Sequence, residues 1–451
     1  MPGLPTALAS GFGISMSLQV SSNRRFLVRD EGTPFFYLAD TAWELFHRLT
    51  REEADFYLQM RAAQGFTVIQ AVILAEYGGL TVPNAEGGLP LHDNDPTRPQ
   101  ETYFRHVDWI VDRAAQLGLY VSMLPSWGDK VNQKWGEGPE ILTPENTSAF
   151  GEFLGRRYRD KPVIWIIGGD RVPENDTHYE AWCMMASGLR KGDGGTHLMT
   201  FHPMGGHSSS SHFHSAEWLD FNMIQTGHSR NSPNYDKVAH DYFLVPVKPV
   251  LDGEPGYEDH PESFDPEDGY LNDYDVRKAA YWAVFAGAHG HTYGCHDVWQ
   301  FLDTSRFPAV TSARTPWREA LCLPGADQMC HLRALVESRP FLSRIPDQSL
   351  LVSESGTGTN HIQATRDADG LYALVYSASG QPFTLDLTLL NGDPLTAWWF
   401  DPRTARSVPV GRVERTGAKT FTPPSRGPGC DWVLVVDDAS QGFPPPVTAP
   451  S

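Results

Sequence analysis

Two carboxylates, Asp170 and Glu254, stand out by position: each closes a short apolar run and follows a glycine, in PVIWIIGGD at 162–170 and KPVLDGEP at 248–255. Two carboxyl groups held in unlike environments can break an acetal. One stays protonated to release the leaving group, and the other stays ionised to capture the oxocarbenium-like carbon. A retaining route places them roughly 5 Å apart and an inverting one farther. The bland alternatives are a loop or N-cap carboxylate for Asp170 and an ion-pair partner of a nearby Arg or His for Glu254. Asp252 competes for the nucleophile's role, but strand alternation sends Asp252 and Glu254 to one face, which makes Asp252 a supporting carboxylate.

The elements that must position such a pair recur along the chain. Apolar or β-branched runs fall near 34–40 and at 66–74, 119–125, 162–170, 196–203, 221–228, 248–255 and 289–295, with amphipathic stretches between them. Eight strand–helix repeats in this length point to an α/β fold, a (β/α)8 TIM barrel, whose active site lies at the C-terminal ends of its strands. Strands four and seven are nearly opposite in such a ring, so Asp170 and Glu254 can face each other across its mouth. Polar and aromatic residues just beyond the other runs become candidate sugar contacts: Asp40, Gln70, His202, Gln225 and His228 for hydroxyls, and Trp43, Tyr77, Trp127 and Trp299 for stacking. Aromatic residues at barrel tops also serve packing.

Between the runs, TREEADFYLQMRAAQG at 50–65 reads as a helix with a Thr50–Glu53 capping box, a Gly65 stop and an apolar face of Phe56, Met60 and Ala63. Further helices are expected at 103–118 and 146–160. The barrel with its N-terminal extension spans 1–343. Beyond it, short alternating segments with a turn at Asp367, Asp369 and Gly370 predict a small antiparallel β-sandwich over 344–440. SRPFLSRIPDQS at 338–349 reads as the linker, and the Pro-rich tail 441–451 as disordered.

Composition narrows the partners. A net charge of -19 argues against sequence-independent binding of nucleic acid or of an anionic membrane surface, both of which need Lys/Arg clusters. Five cysteines in odd number, without CxxC spacing, suggest buried free thiols and no disulfide framework. The first residues lack a basic segment and a sustained apolar core, so a cytoplasmic location is favoured unless the true N-terminus carries an export signal. The histidines of HPMGGHSSSSHFH and HGHTYGCH lack tight ligand spacing, so no metal and no cofactor is expected. The acidic stretch 258–275 lacks a calcium-loop frame and is expected as a solvated loop beside the site. Oligomeric state is not legible.

The runs FFYLADTAWELFHRLTREEADFYLQMRAAQGFTVIQ, PVIWIIGGD, KPVLDGEPGYE and HTYGCHDVWQF resemble the apiosidase-like glycoside hydrolases, a retaining barrel family. AWWFDPRTA resembles the small β-sandwich often appended to those barrels and labelled collagen-binding. The resemblance spans roughly residues 18–437. It implies Asp170 as acid/base, Glu254 as nucleophile, and release of β-linked apiose from an apiosylated glycoside or pectic side chain. The related larger clan carries Asn-Glu where this chain has Gly169-Asp170. Barrel glycosidases for an arabinofuranoside or a β-glucoside, and a non-catalytic carbohydrate-binding protein, are the alternatives.

Overall fold

The computed structural model describes residues 17–447, so the expectation for the extreme N-terminus and that for the last four residues of the tail lie outside the described residues. Eight parallel strands form the barrel: β1 (Tyr37–Thr41), β2 (Val68–Leu74), β3 (Tyr120–Ser126), β4 (Val163–Gly168), β5 (Met199–His202), β6 (Asn222–Gln225), β7 (Val250–Glu254) and β8 (Gly290–Tyr293). Six make one continuous curled sheet in the order β8-β1-β2-β3-β4-β5, and β6 pairs with β7. Single backbone bonds bridge the seams: Asp220 N–H donates to Met199 O at 2.8 Å, and His289 N–H donates to Val250 O at 2.9 Å.

Strand alternation divides the core in two. Tyr37, Ala39, Val68, Val72, Tyr120, Leu124, Ile164, Ile166, Met223 and Leu251 fill the barrel. Leu38, Ile69, Ile73, Val121, Met123, Trp165 and Ile167 face the helical layer. A three-stranded antiparallel sheet (Leu18–Val20, Leu27–Arg29, Pro34–Phe35) precedes β1, and its Leu18, Leu27 and Phe35 join the interior core.

The helical layer comprises α1 (Arg51–Ala63), α2 (Glu101–Gln116), α3 (Pro144–Tyr158), α4 (Asp176–Asp193), α5 (Asn234–Tyr242), α6 (Asp273–Phe285) and α7 (Pro324–Glu337). After β5 only a single turn, Ser210–Phe213, occupies the place of a helix. The Thr50–Glu53 capping box forms at the start of α1 as the sequence suggests. Its buried face does not follow the expectation: Ala54, Tyr57, Leu58 and Arg61 are buried, whereas Phe56 is exposed. Arg61 and Tyr57 both reach Asp40 on the outer face of β1, and this polar anchor rotates the helix away from its apolar stripe. α2 and α3 each begin two residues earlier than their periodicity predicts.

The C-terminal region is an uneven antiparallel sandwich. Its larger sheet runs β9 (Arg344–Pro346), β10 (Ile362–Asp367), β11 (Tyr372–Ser377), β16 (Trp432–Asp438), β13 (Leu395–Asp401), β14 (Arg406–Val413). The smaller pairs β12 (Phe383–Asp386) with β15 (Ala418–Phe421). The expected linker is therefore partly an edge strand, and Arg344 within it is buried with its guanidinium on Val284 O and Ala288 O of the barrel. The tail to Val447 packs as well: Pro446 is buried, Phe443 meets Tyr372 edge-on, and Arg339 lies over the Phe443 ring, so the disorder expected from proline content does not extend to 441–447. One face of the large sheet, including Tyr372, Leu374, Tyr376, Val433 and Val435, continues the core outside the barrel strands. Arg277 of α6 grips Asp431 with two bonds of 2.8 and 2.7 Å, and both side chains are buried. The five cysteines are all free, but only Cys295 is buried and Cys322 is exposed, so the expectation of buried thiols fails for most of them.

Candidate active site

The mouth of the barrel holds a cavity of about 440 Å³. Asp170, Glu254, Trp43, Tyr77, Trp127, Gln225, His228 and Trp299 line it, together with Glu76, Trp135, Tyr257, His260, Phe264 and His296.

Glu254 enters the cavity through an irregularity in β7. The register against β6 shifts between Asp252 and Glu254, so Asp252 pairs with Ile224 and Glu254 with Gln225. The extra residue, Gly253, rotates the two carboxylates to opposite faces. A Cβ there would stand 2.5 Å from the Met223 side chain. Asp252 consequently points outward, accepting from Thr226 Oγ1 at 2.9 Å and from Asn234 Nδ2 at 3.1 Å, and the same-face expectation is overturned.

Asp170 sits on an equally unusual backbone. Gly168, Gly169 and Asp170 all have positive φ, at 94°, 115° and 56°. A Cβ at Gly168 would lie 2.5 Å from His202 O, so glycine is required by space as well as by conformation. The Trp135 indole N–H donates to Asp170 Oδ2 at 2.6 Å. Arg171, buried, fixes that tryptophan by stacking 3.9 Å over its ring and bonding Trp135 O and Asn132 O.

His202 spans the backbone of Asp170 and the carboxylate of Glu254. Its Nδ1 accepts the backbone N–H of Asp170 at 3.2 Å, which leaves the proton of the neutral ring on Nε2. Nε2 stands 2.9 Å from Glu254 Oε2, while His228 Nε2 stands 3.3 Å from Oε1. Trp43 meets the His202 ring edge-on and Trp127 packs beside it, so aromatic walls fix the imidazole.

The resulting electrostatics are unequal. Burial pushes both carboxyls up, and for Asp170 the charge of Glu254 adds to it, raising it to about 6. For Glu254 the facing Nε2 atoms of His202 and His228 outweigh burial and hold it well below the usual carboxylate range. The cavity therefore presents a carboxyl that keeps its proton in mildly acidic solution and a carboxylate that does not take one up. That is the division of labour acid-assisted displacement at an acetal carbon requires.

Three of the residues expected to touch a sugar are placed elsewhere. Asp40 is fully buried behind β1, where it accepts from Arg61 Nε at 2.7 Å and Tyr57 Oη at 2.5 Å; its odd position relative to Tyr37 and Ala39 turns it outward. Gln70 faces the barrel interior below the cavity, donating to Gly253 O at 3.1 Å and accepting from Tyr37 Oη at 3.3 Å. His202 is buried beneath Glu254 and acts on that carboxylate instead of on the cavity. Conversely, Trp135 and Phe264, 42% and 61% exposed at the rim, come from loops without periodicity. The acidic stretch expected to be merely solvated carries Tyr270 and Asp275 into ion-pair and cation–π contacts and His260 into the wall, stacked 4.0 Å on His228. Glu76 stands beside Tyr77 where the second apolar run leads, within the set of strand-end residues, whereas Tyr257 lies three residues past β7 and carries no signal beyond that proximity. Among the described residues no three His, Cys, Asp or Glu side chains gather as metal ligands.

Residues 21–343 match the family described as "Apiosidase-like, catalytic domain", and residues 345–437 match "Putative collagen-binding domain of a collagenase". Two solved structures are similar over nearly the whole chain. A glycoside hydrolase family 5 protein from Bacteroides vulgatus ATCC 8482 is 34% identical, with 97% of each chain covered and a TM-score of 0.89. Another, described as a glycoside hydrolase, is 35% identical, covering 94% of this chain and 98% of its own, with a TM-score of 0.87. A more distant structure from the same Bacteroides strain, at 15% identity and a TM-score of 0.67, shares the fold. Among curated proteins none matches.

Proposed function

The chain belongs to the apiosidase-like family of glycoside hydrolases, and on that premise we propose that it releases β-linked apiose from plant glycans or glycosides by retaining double displacement. In the first step the Asp170 carboxyl gives its proton to the departing glycosidic oxygen while a Glu254 oxygen bonds to the anomeric carbon. The leaving group departs as a neutral alcohol and the sugar is held as an ester of Glu254. In the second step the Asp170 carboxylate takes a proton from water, whose oxygen displaces Glu254 and restores both groups.

The observation that carries this reading is the opposed environment of the two carboxyls in one cavity, Glu254 between two histidines and Asp170 raised by burial and by Glu254 itself. Trp43, Trp127 and Tyr257 offer flat apolar walls beside Glu254, suited to a small sugar ring, and Gln225 and His228 offer polar atoms for its hydroxyls. The shorter acid, Asp in place of Glu, fits a glycosidic oxygen presented from a compact branched furanose.

An array of aryl and natural glycosides tests the assignment: apiosides, arabinofuranosides, xylosides and β-glucosides, with the first-formed anomer read by proton NMR. Apiose release with retained configuration is the expected outcome. Turnover of another glycoside with none of the apiosides would overturn the substrate, and an inverted product would overturn the mechanism.

A further inference from the structure

A third carboxyl faces the cavity. Glu76 lies just beyond β2 and lines the same space as Asp170 and Glu254, yet its carboxyl makes no hydrogen bond or ion pair with any described residue. Only its backbone oxygen is engaged, by Lys130 Nζ at 3.4 Å. The acids around it are matched. Glu44 has His47 at 3.0 Å, Arg48 at 3.6 Å and the Tyr77 N–H at 3.3 Å; Asp129 has Lys130 at 2.7 Å and the Gly138 N–H at 2.8 Å; Asp170 has Trp135. The nearby cation, Arg171, spends its guanidinium on the carbonyls of Asn132, Trp135 and Asp170.

A carboxyl buried among carboxylates without a cation keeps its proton. Burial first, then the charges of Asp129, Asp170 and Glu44, push Glu76 up to about 8 against the weaker pull of Arg171. In neutral solution it thus presents an O–H donor to the cavity with no acceptor among the described residues. Glu76 is half-buried, so water can reach its carboxyl in the open cavity; a ligand that seats there and expels that water is favoured if it brings an oxygen and disfavoured if it does not, because the donor is then left unpaired. The backbone places it on the Asp170 side: Lys130 Nζ bonds Glu76 O, and Gly128, two residues before that lysine, donates its N–H to Gly169 O beside Asp170 at 2.9 Å, whereas the Nε2 atoms of His202 and His228 face Glu254.

We propose that Glu76 is a specificity-determining residue that donates its carboxyl hydrogen to a hydroxyl oxygen of the leaving group beside Asp170. The proposal rests on the glycosidase reading. It distinguishes a sugar or polyol leaving group, which carries hydroxyls next to the scissile oxygen, from a simple aryl one, which does not.

The test compares kcat/KM of the wild type, Glu76→Gln and Glu76→Ala on two glycosides of the sugar the array identifies, one with a sugar leaving group and one with p-nitrophenol. Glu76→Ala should lose about 10- to 100-fold on the sugar-linked substrate and stay within about 3-fold on the aryl one. Glu76→Gln keeps a neutral donor and should stay within about 3-fold on both at pH 6. As pH passes about 8 the wild type should fall below Glu76→Gln on the sugar-linked substrate, since the ionised Glu76 no longer donates while the amide still does. Melting temperatures of the variants separate a folding defect from a lost contact. Equal losses on both substrates, or a glutamine as damaging as alanine, would overturn the proposal. Absence of any glycoside turnover by the wild type would overturn the underlying reading and this proposal with it, whereas wild-type turnover with an unaffected Glu76→Ala would overturn this proposal alone.

Discussion

Acidic side chains are handled in opposite ways at the barrel mouth and where the barrel helices meet the C-terminal sheet. Between α6 and the C-terminal sheet, Arg277 and Asp431 meet in a two-bond ion pair, Tyr376 Oη adds a third bond to Asp431 at 3.1 Å, and Arg339 grips Asp437 in the same fashion. At the barrel mouth, by contrast, Asp170 receives an indole N–H and a distant Arg171 contact of 3.6 Å, and the Glu76 carboxyl receives no hydrogen bond or ion pair from a described residue. Matched charge holds two parts of the chain in one arrangement. Unmatched charge costs stability and leaves groups whose protonation can be used on a ligand.

The contrast breaks first at Glu254. Replacing it by Gln removes the carboxylate proposed as nucleophile and should lower kcat on the order of 10⁴-fold or more with little change in melting temperature. Turnover within about 10-fold of the wild type would remove Glu254 from the chemistry. At the interface the opposite profile is expected. Asp431→Ala leaves Arg277 buried without its partner and should destabilise the fold by about 3–5 kcal/mol in denaturant melts, with kcat/KM of the surviving folded fraction unchanged. A large catalytic loss there, with stability intact, would mean that the C-terminal region takes part in substrate binding.

At Asp170 a smaller effect of defined sign is expected. Its carboxyl rises from an ordinary 3.8 to about 6 on folding, so the native state binds the proton more tightly than the unfolded chain does. The stability that this proton contributes is full below about pH 4 and is lost as pH climbs through 6. Asp170→Asn, which does not titrate, should therefore gain melting temperature relative to the wild type as pH rises from 4 to 7. Its catalytic counterpart is a wild-type kcat/KM that declines above pH about 6 because the acid has ionised. A melting difference independent of pH would contradict the raised carboxyl.

Much of this arrangement is written locally. The apolar runs that mark the eight strands reflect strands buried on both faces, and the Thr50–Glu53 box reflects orphan amides at a helix start; both are short-range effects. Alternation along Tyr37-Leu38-Ala39-Asp40 already turns Asp40 outward, so its parity in the strand, and not its place at the strand end, decides where its carboxylate goes. The irregularity at Gly253 was not legible, because a one-residue bulge leaves no periodic trace and depends on how β7 meets β6. Trp135 and Phe264 reach the cavity from loops whose course is set by distant partners, Arg171 in one case and the His260–His228 stack in the other. Asp431 lies more than 150 residues from Arg277, and no local pattern announces that pairing.

The proposed chemistry divides acid and nucleophile between Asp170 and Glu254. Its most direct test is intact-protein and peptide mass spectrometry of Asp170→Asn quenched during turnover of an activated aryl glycoside. With the general base removed, the glycosyl-enzyme should accumulate, carrying one sugar unit on the peptide that contains Glu254. Steady turnover without any covalent adduct, or an adduct on another carboxylate such as Asp252 or Glu76, would contradict the account.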